Sequence, residues 1–161
     1  MYELLYNYFK EKTDVDLETF ERISRYFKPG SAKRNEILLA EGEICKFNLF
    51  VNKGCVRFFT INEEGIELTR YFAFEGKFGT ALSSLIDQEK SFETIQCVEK
   101  SELQVISRKD FFHLIETVPQ VNFIYRDILE MAYITSQKRI YDFQGKNGVF
   151  ALFLQHQTVA N

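Results

Sequence analysis

The sequence predicts a mostly β fold with flanking helices: a jelly roll between two helical ends, the second of which is one long helix. Three observations carry this. Across residues 32–107, short apolar runs rich in Val, Ile, Phe and Thr alternate with turn signals at regular spacing, the pattern of an all-β sandwich or jelly roll. On both sides of that region apolar residues recur at helical spacing. Phe is abundant, 17 residues with no Trp, so rings can fill a core from few side chains.

The first helical stretch is residues 1–27. Leu4, Leu5, Tyr8 and Phe9 lie at helical spacing, and a second helix runs through Leu17, Phe20, Ile23 and Phe27. Asp14 or Asp16 caps that second helix, although neither is followed by Glu or Gln three residues on. Lys28-Pro29-Gly30 is expected to end it.

The β region then opens with Ile37-Leu38-Leu39 and the turn Glu41-Gly42-Glu43. Asn48-Leu49-Phe50-Val51 follows, closed by Asn52-Lys53-Gly54. A hairpin is read from Cys55–Ile61 and Ile66–Phe74 across Asn62-Glu63-Glu64-Gly65, where the glycine supplies positive φ. Phe92–Val98 and Leu103–Ile106 complete the strands.

From Arg108 the helical period returns. Ser107 or Asp110 starts a short helix through Phe111, Phe112, Leu114 and Ile115, and Pro119 breaks it. A long helix over about 121–143 carries Ile124, Ile128, Met131, Ala132, Thr135 and Arg139 along one side. That stripe packs on the β region, forms a coiled-coil-like seam with a second copy, or serves both; a homodimer through these residues is expected. The tail, residues 145–161, has two glycines and no acidic residue, and reads as one more helix or an altered end.

A chain of 161 residues accommodates one domain with an appended helix. The net charge of −3 and pI near 5.5 argue against a whole-domain footprint for nucleic acid, leaving only a local basic patch open. No apolar run reaches the roughly 18–20 residues that span a bilayer, and Met1–Leu5 has no basic n-region before an apolar stretch. No membrane partner and a cytoplasmic location are therefore expected. Cys45, Cys55 and Cys97 are odd in number and scattered, and the histidines are His113 and His156. That is neither a disulfide framework nor a zinc or iron–sulfur ligand set; the thiols read as small reduced hydrophobes. No Ser-His-Asp, Cys-His or cupin-like histidine arrangement is legible either, so an enzyme is not expected.

One stretch has the outline of a phosphate-binding loop. Gly76-Lys77-Phe78-Gly79 is followed by small and hydroxyl residues, Thr80, Ala81, Ser83 and Ser84, and then by Lys90 and Ser91. Such a loop presents amides and hydroxyls to a small anion or neutral polar ligand. The alternative is purely structural: Gly79 permits a tight turn, the serines cap a short helix, Lys90 is solvated, and Phe92 fills the space of a ligand.

Four words in order resemble the cyclic-nucleotide-binding domain. Ile37-Leu38-Leu39-Ala40-Glu41-Gly42-Glu43 is similar to its opening strand and turn, and Asn48-Leu49-Phe50-Val51-Asn52-Lys53-Gly54-Cys55-Val56-Arg57 to its second hairpin. Gly76-Lys77-Phe78-Gly79 resembles the start of its phosphate cassette, one residue short, and Ser101–Phe111 its closing strand and following helix. With the long final helix, the resemblance covers about residues 20–143 and points to the catabolite-activator/FNR (Crp/Fnr) family of transcription regulators.

The resemblance implies a β-roll sensor, a dimerisation helix and, after it, a winged helix-turn-helix that reads DNA. The eighteen or so residues after Phe143 are too few for that last module. The expected organisation is residues 1–117 for the N-terminal helices and sensor roll, 118–144 for the dimerisation helix and 145–161 for a short tail. DNA would be reached only through a module missing from this chain.

The resemblance also implies how a cyclic nucleotide would be held, and where this sequence departs. The acid that follows the cassette glycine and accepts the ribose hydroxyl is replaced by Thr80. The Arg-Ser-Ala word falls on Lys90-Ser91-Phe92, which keeps the charge and the serine but loses the bidentate fork. Losing one charge-assisted bond costs about 1.5–3 kcal/mol, roughly ten- to a hundredfold in affinity. Thr135 and Ser136 resemble the Thr-Ser pair on the long helix that contacts the purine. The expected function is thus the ligand-sensing and dimerisation part of a Crp/Fnr-like regulator with a degenerate cassette, its ligand a cyclic nucleotide or another small anion, if any. A true cyclic-nucleotide domain using Lys90 with Thr135 and Ser136, and a ligand-free protein-interaction module, are the alternatives.

Overall fold

The computed structural model describes residues 2–146. It begins with two helices, α1 (Glu3–Lys12) and α2 (Leu17–Ser24). Leu5 and Phe9 of α1 and Phe20 and Ile23 of α2 are buried. Asp16, not Asp14, caps the second helix: its Oδ1 accepts from the Thr19 amide at 2.7 Å.

Lys28-Pro29-Gly30 does not end that helix, which is already finished at Ser24. These residues are strand β1 (Lys28–Ala32), paired antiparallel with the last strand so that Pro29 faces Gln104. β1 lies at a sheet edge, where a residue without an N–H is tolerated. Turn-forming letters here spell an edge strand.

Seven more strands follow: β2 (Ile37–Leu39), β3 (Phe47–Lys53), β4 (Val56–Ile61), β5 (Glu67–Ala73), β6 (Phe78–Gly79), β7 (Thr94–Cys97) and β8 (Ser101–Ser107). Helix α3 (Leu82–Asp87) interrupts them after β6. They form two antiparallel four-stranded sheets, ordered β1-β8-β3-β6 and β2-β7-β4-β5. The expected jelly roll is the observed fold. Phe50, Phe58, Ile95 and Ile106 are wholly buried, one from each of β3, β4, β7 and β8. Tyr8 of α1 rests edge-on against Phe50 and Phe78, at 5.8 and 5.3 Å between ring centres, so the Phe-rich composition also binds the N-terminal helix to the roll.

The β4–β5 hairpin turns where the sequence places it. Asn62 Oδ1 accepts from the amides of Glu64 and Ile66, and Gly65 takes φ 78°. Its ladder slips once: Phe58 pairs with Tyr71 but Phe59 with Thr69, leaving Arg70 as the extra residue of a β-bulge.

Helix α4 (Arg108–Thr117) is capped by Ser107, whose Oγ accepts from the Asp110 amide. Pro119 opens α5 (Pro119–Lys146), a first-turn position that needs no amide donor. The chain divides into two compact units, one ending at Asn122 and one beginning at Phe123. Among the described residues, no helix is long and apolar enough to cross a membrane. The tail residues 147–161 lie outside the described residues.

Candidate functional site

The loop-like stretch begins at β6. Gly79 is buried and has no positive φ, so it does not serve a tight turn. What it permits is close approach: a Cβ there would meet Phe58 Cζ at 2.5 Å. Beside it Tyr71 donates its hydroxyl to the Phe78 carbonyl at 3.2 Å, joining β5 to β6.

Thr80 donates its hydroxyl to the Phe47 carbonyl at 2.8 Å, and Cys45 Sγ lies 3.4 Å from Thr80 Oγ1. Ala81 is buried and precedes α3, whose start has no side-chain cap. The serines therefore do not cap this helix. Ser83 is exposed. Ser84 is 1% exposed; its Oγ accepts from the Cys45 amide and donates to the Glu89 carbonyl. Gln88, with φ 56°, ends α3 and donates to the carbonyls of Cys45, Ser84 and Leu85. Arg108 donates to the carbonyls of Leu85 and Ile86. The segment after Gly79 is thus fastened to residues 45–47 by its own polar groups.

The second half of the site is equally committed. Lys90 is exposed, and its backbone bridges Ile44. Ser91 exchanges backbone bonds with the opposing turn, accepting from Gly42 and donating to Glu43. Its side chain is buried, with Oγ donating to the Glu93 carbonyl at 2.8 Å and accepting from the Glu93 amide at 3.0 Å. Phe92 is 74% exposed, so its ring is not packed inside the roll. Flanked by the committed Ser91, its side chain is directed outward.

Two residues not singled out from the sequence meet here. Arg70, on the β5 bulge, forms a two-pronged ion pair with Glu93: Nε to Oε1, and Nη2 to Oε2 at 2.9 Å. Its guanidinium carbon lies 5.8 Å from the Phe58 ring centre and 5.9 Å from that of Tyr71. No local motif announces this pair, because one partner is a strand residue and the other follows the loop.

Gly79, Ala81 and Ser91 are thus buried and Thr80 half-buried, whereas Ser83 and Lys90 face solvent. Thr135 and Ser136 lie on α5 in the second unit, both exposed, with Ser136 Oγ donating to the Ala132 carbonyl. Of the residues expected in a seam, Ile124 is buried, Ile128 half-buried, and Met131, Ala132 and Arg139 are exposed, as are Ile134, Ile140 and Phe143.

Burial pushes the Cys55 and Cys97 thiols up, which disfavours the thiolate that nucleophilic or metal chemistry needs. Among the described residues no three His, Cys, Asp or Glu side chains gather as they would to hold a metal ion. A surface pocket of about 470 Å³ lies elsewhere, lined by Arg34, Cys55, Phe72, Phe74, Val98 and Glu99.

Residues 29–118 match the family of cyclic nucleotide-binding domains. The fold is similar to the catabolite activator protein of Thermus thermophilus, with 21% identity, a TM-score of 0.72, and coverage of 81% of this chain and 61% of that one. It is similar to a cyclic nucleotide-binding domain from Methylobacillus flagellatus, with 17% identity, a TM-score of 0.74, and coverage of 91% and 84%. The sensor domain of the transcriptional regulator DNR from Pseudomonas aeruginosa matches with 15% identity, a TM-score of 0.67, and coverage of 85% and 89%. At these identities the likeness is one of fold, and the chain spans 61% of the length of the Thermus activator. No curated protein matches the sequence.

Proposed function

Because the chain belongs to the cyclic nucleotide-binding domain family, we propose that it is the non-catalytic sensing and dimerisation part of a Crp/Fnr-like transcription regulator acting in the cytoplasm. Residues 1–117 are the sensor, 118–144 the dimerisation helix and 145–161 a tail. DNA is read by a separate helix-turn-helix module of the whole protein. Ligand binding biases the mutual orientation of two α5 helices, which requires different affinities for the two dimer states.

The proposed ligand contacts of the roll are Gly79, Thr80, Ala81, Ser83, Lys90 and Ser91, which offer backbone amides where their side chains are bonded internally. One observation carries the further point that this is not an ordinary cyclic AMP site. The Thr80 hydroxyl, where the family's acid would accept a ribose hydroxyl, is committed to the Phe47 carbonyl. The exposure of Lys90 and the internal bonding of Ser91 support the same reading.

Calorimetry with cyclic AMP and cyclic GMP tests it. Weak binding, at hundreds of micromolar or above, is expected from the loss of charge-assisted contacts, on the order of ten- to a hundredfold each. The family match itself favours the second reading, a true cyclic-nucleotide domain. Low-micromolar binding abolished by Lys90→Ala would establish that reading instead.

A further inference from the structure

Strand β5 gives one side chain an unusual direction. In a regular strand, neighbours point to opposite faces. Tyr71 faces the interior beside Phe58, so Arg70 would point outward. The register slip between Phe58 and Phe59 inserts Arg70 as an extra residue, and such bulges re-aim side chains. The guanidinium accordingly reaches the rings of Phe58 and Tyr71, the two residues that touch or hydrogen-bond the Phe78-Gly79 pair. Its fork meets Glu93, whose amide is bound by Ser91 Oγ. An arginine fork is therefore linked to Gly79 through Phe58 and to Ser91 through Glu93, while the lysine at the family's cation position faces solvent.

We propose that Arg70 is the anion-recognising residue of this roll and Glu93 its resident counter-ion, displaced by a ligand that carries a phosphate ester. The proposal rests on the reading of the roll as a ligand sensor and names the group that grips the ligand. A guanidinium fork binds carboxylate and phosphate in the same bidentate geometry, so the Glu93 carboxylate occupies the place a phosphate would take. The two side chains differ in access: that of Arg70 is 48% exposed and that of Glu93 15%. The cation is thus reachable from solvent. A state that must first lose an internal partner binds with an affinity reduced by the fraction of time the partner is away. Glu93 sets that fraction.

The test compares the wild-type chain, Glu93→Gln, and Glu93→Gln combined with Arg70→Lys, by calorimetry with cyclic AMP, cyclic GMP and inorganic phosphate. Glu93→Gln should tighten at least one probe by about tenfold or more, and adding Arg70→Lys should remove the gain. A gain with cyclic nucleotides alone identifies a nucleotide site; an equal gain with inorganic phosphate identifies a free-phosphate site; both support the role of Arg70. Unchanged affinity for all three probes, or a gain that survives Arg70→Lys, overturns it. Should the variants fold poorly, the Arg70 Nε–Hε resonance of the wild-type protein serves: it should shift on titration with millimolar cyclic AMP or phosphate, and a stationary resonance refutes the proposal. Tight, Lys90-dependent cyclic AMP binding would instead defeat the altered-cassette reading, whereas silence of Glu93→Gln defeats the Arg70 assignment alone.

Discussion

Gly79 lies so close to Phe58 that a Cβ on the glycine would sit 2.5 Å from Cζ and 2.9 Å from Cε2 of the ring. Phe58 is wholly buried and packed against Tyr71, so the ring has nowhere to retreat. Gly79→Ala should therefore overpack the roll and cost about 1–3 kcal/mol. Urea denaturation read by circular dichroism checks this; an unchanged midpoint would mean the ring yields freely and the close approach is unimportant.

Two other glycines separate backbone strain from lack of space. Gly65 has φ 78° with nothing near its missing side chain, so Gly65→Ala should cost only the left-handed backbone, about 1–2 kcal/mol. Gly54 has φ 96°, and a Cβ there would also meet Ser101 Oγ at 2.5 Å and the Lys100 carbonyl at 2.9 Å. Gly54→Ala should exceed Gly65→Ala by at least about 1 kcal/mol, because backbone must move. Equal losses in paired denaturation curves would contradict the crowding argument.

The cap of α2 carries a pH signature. The Asp16 carboxyl is held below its ordinary value, first by the backbone amide and then by the side chain of Thr19, with a smaller contribution from Arg22. A group whose folded value is depressed stabilises the fold above its unfolded value, near 3.9, and loses that contribution as pH falls through the folded value. The difference in melting midpoint between wild type and Asp16→Asn should hold steady from neutrality down to about pH 4 and then move against the wild type. A difference that stays flat through the acid range would show that the capping carboxylate gains nothing from folding.

The roll itself was legible because its signal is repeated. Alternating runs such as Phe47–Lys53 and Val56–Ile61, each closed by a turn residue, constrain one another, and the Asn62–Gly65 hairpin falls where its letters place it. Lys28-Pro29-Gly30 misled because turn letters are also tolerated in an edge strand, and edge position is set by β8, more than seventy residues away. The site was legible by outline only. Gly79 and Ser91 stand out by spacing, but the direction of Phe92 follows from the bonds of its neighbour Ser91. The Arg70–Glu93 pair depends on a one-residue bulge, and no local pattern records a slip in register.

The long helix carries the last prediction. Met131, Ile134 and Tyr141 of α5 are 55%, 41% and 62% exposed, and they recur at steps of three and seven residues, the spacing of a two-helix seam. Exposed apolar side chains gathered on one element mark an interaction surface more often than chance. A seam between two copies is two-fold symmetric, so each substitution enters it twice and faces its own mate across the axis. Met131→Glu would therefore place two carboxylates together in an apolar seam, where neither has a partner. The wild-type chain should sediment as a dimer of about 38 kDa, twice its 19.0 kDa, and Met131→Glu as a monomer. Phe72→Glu alters an apolar side chain that is 42% exposed on β5, and should leave the dimer intact. A wild-type monomer at all concentrations, or equal disruption by both variants, would remove α5 from the assembly and leave its apolar stripe without this explanation.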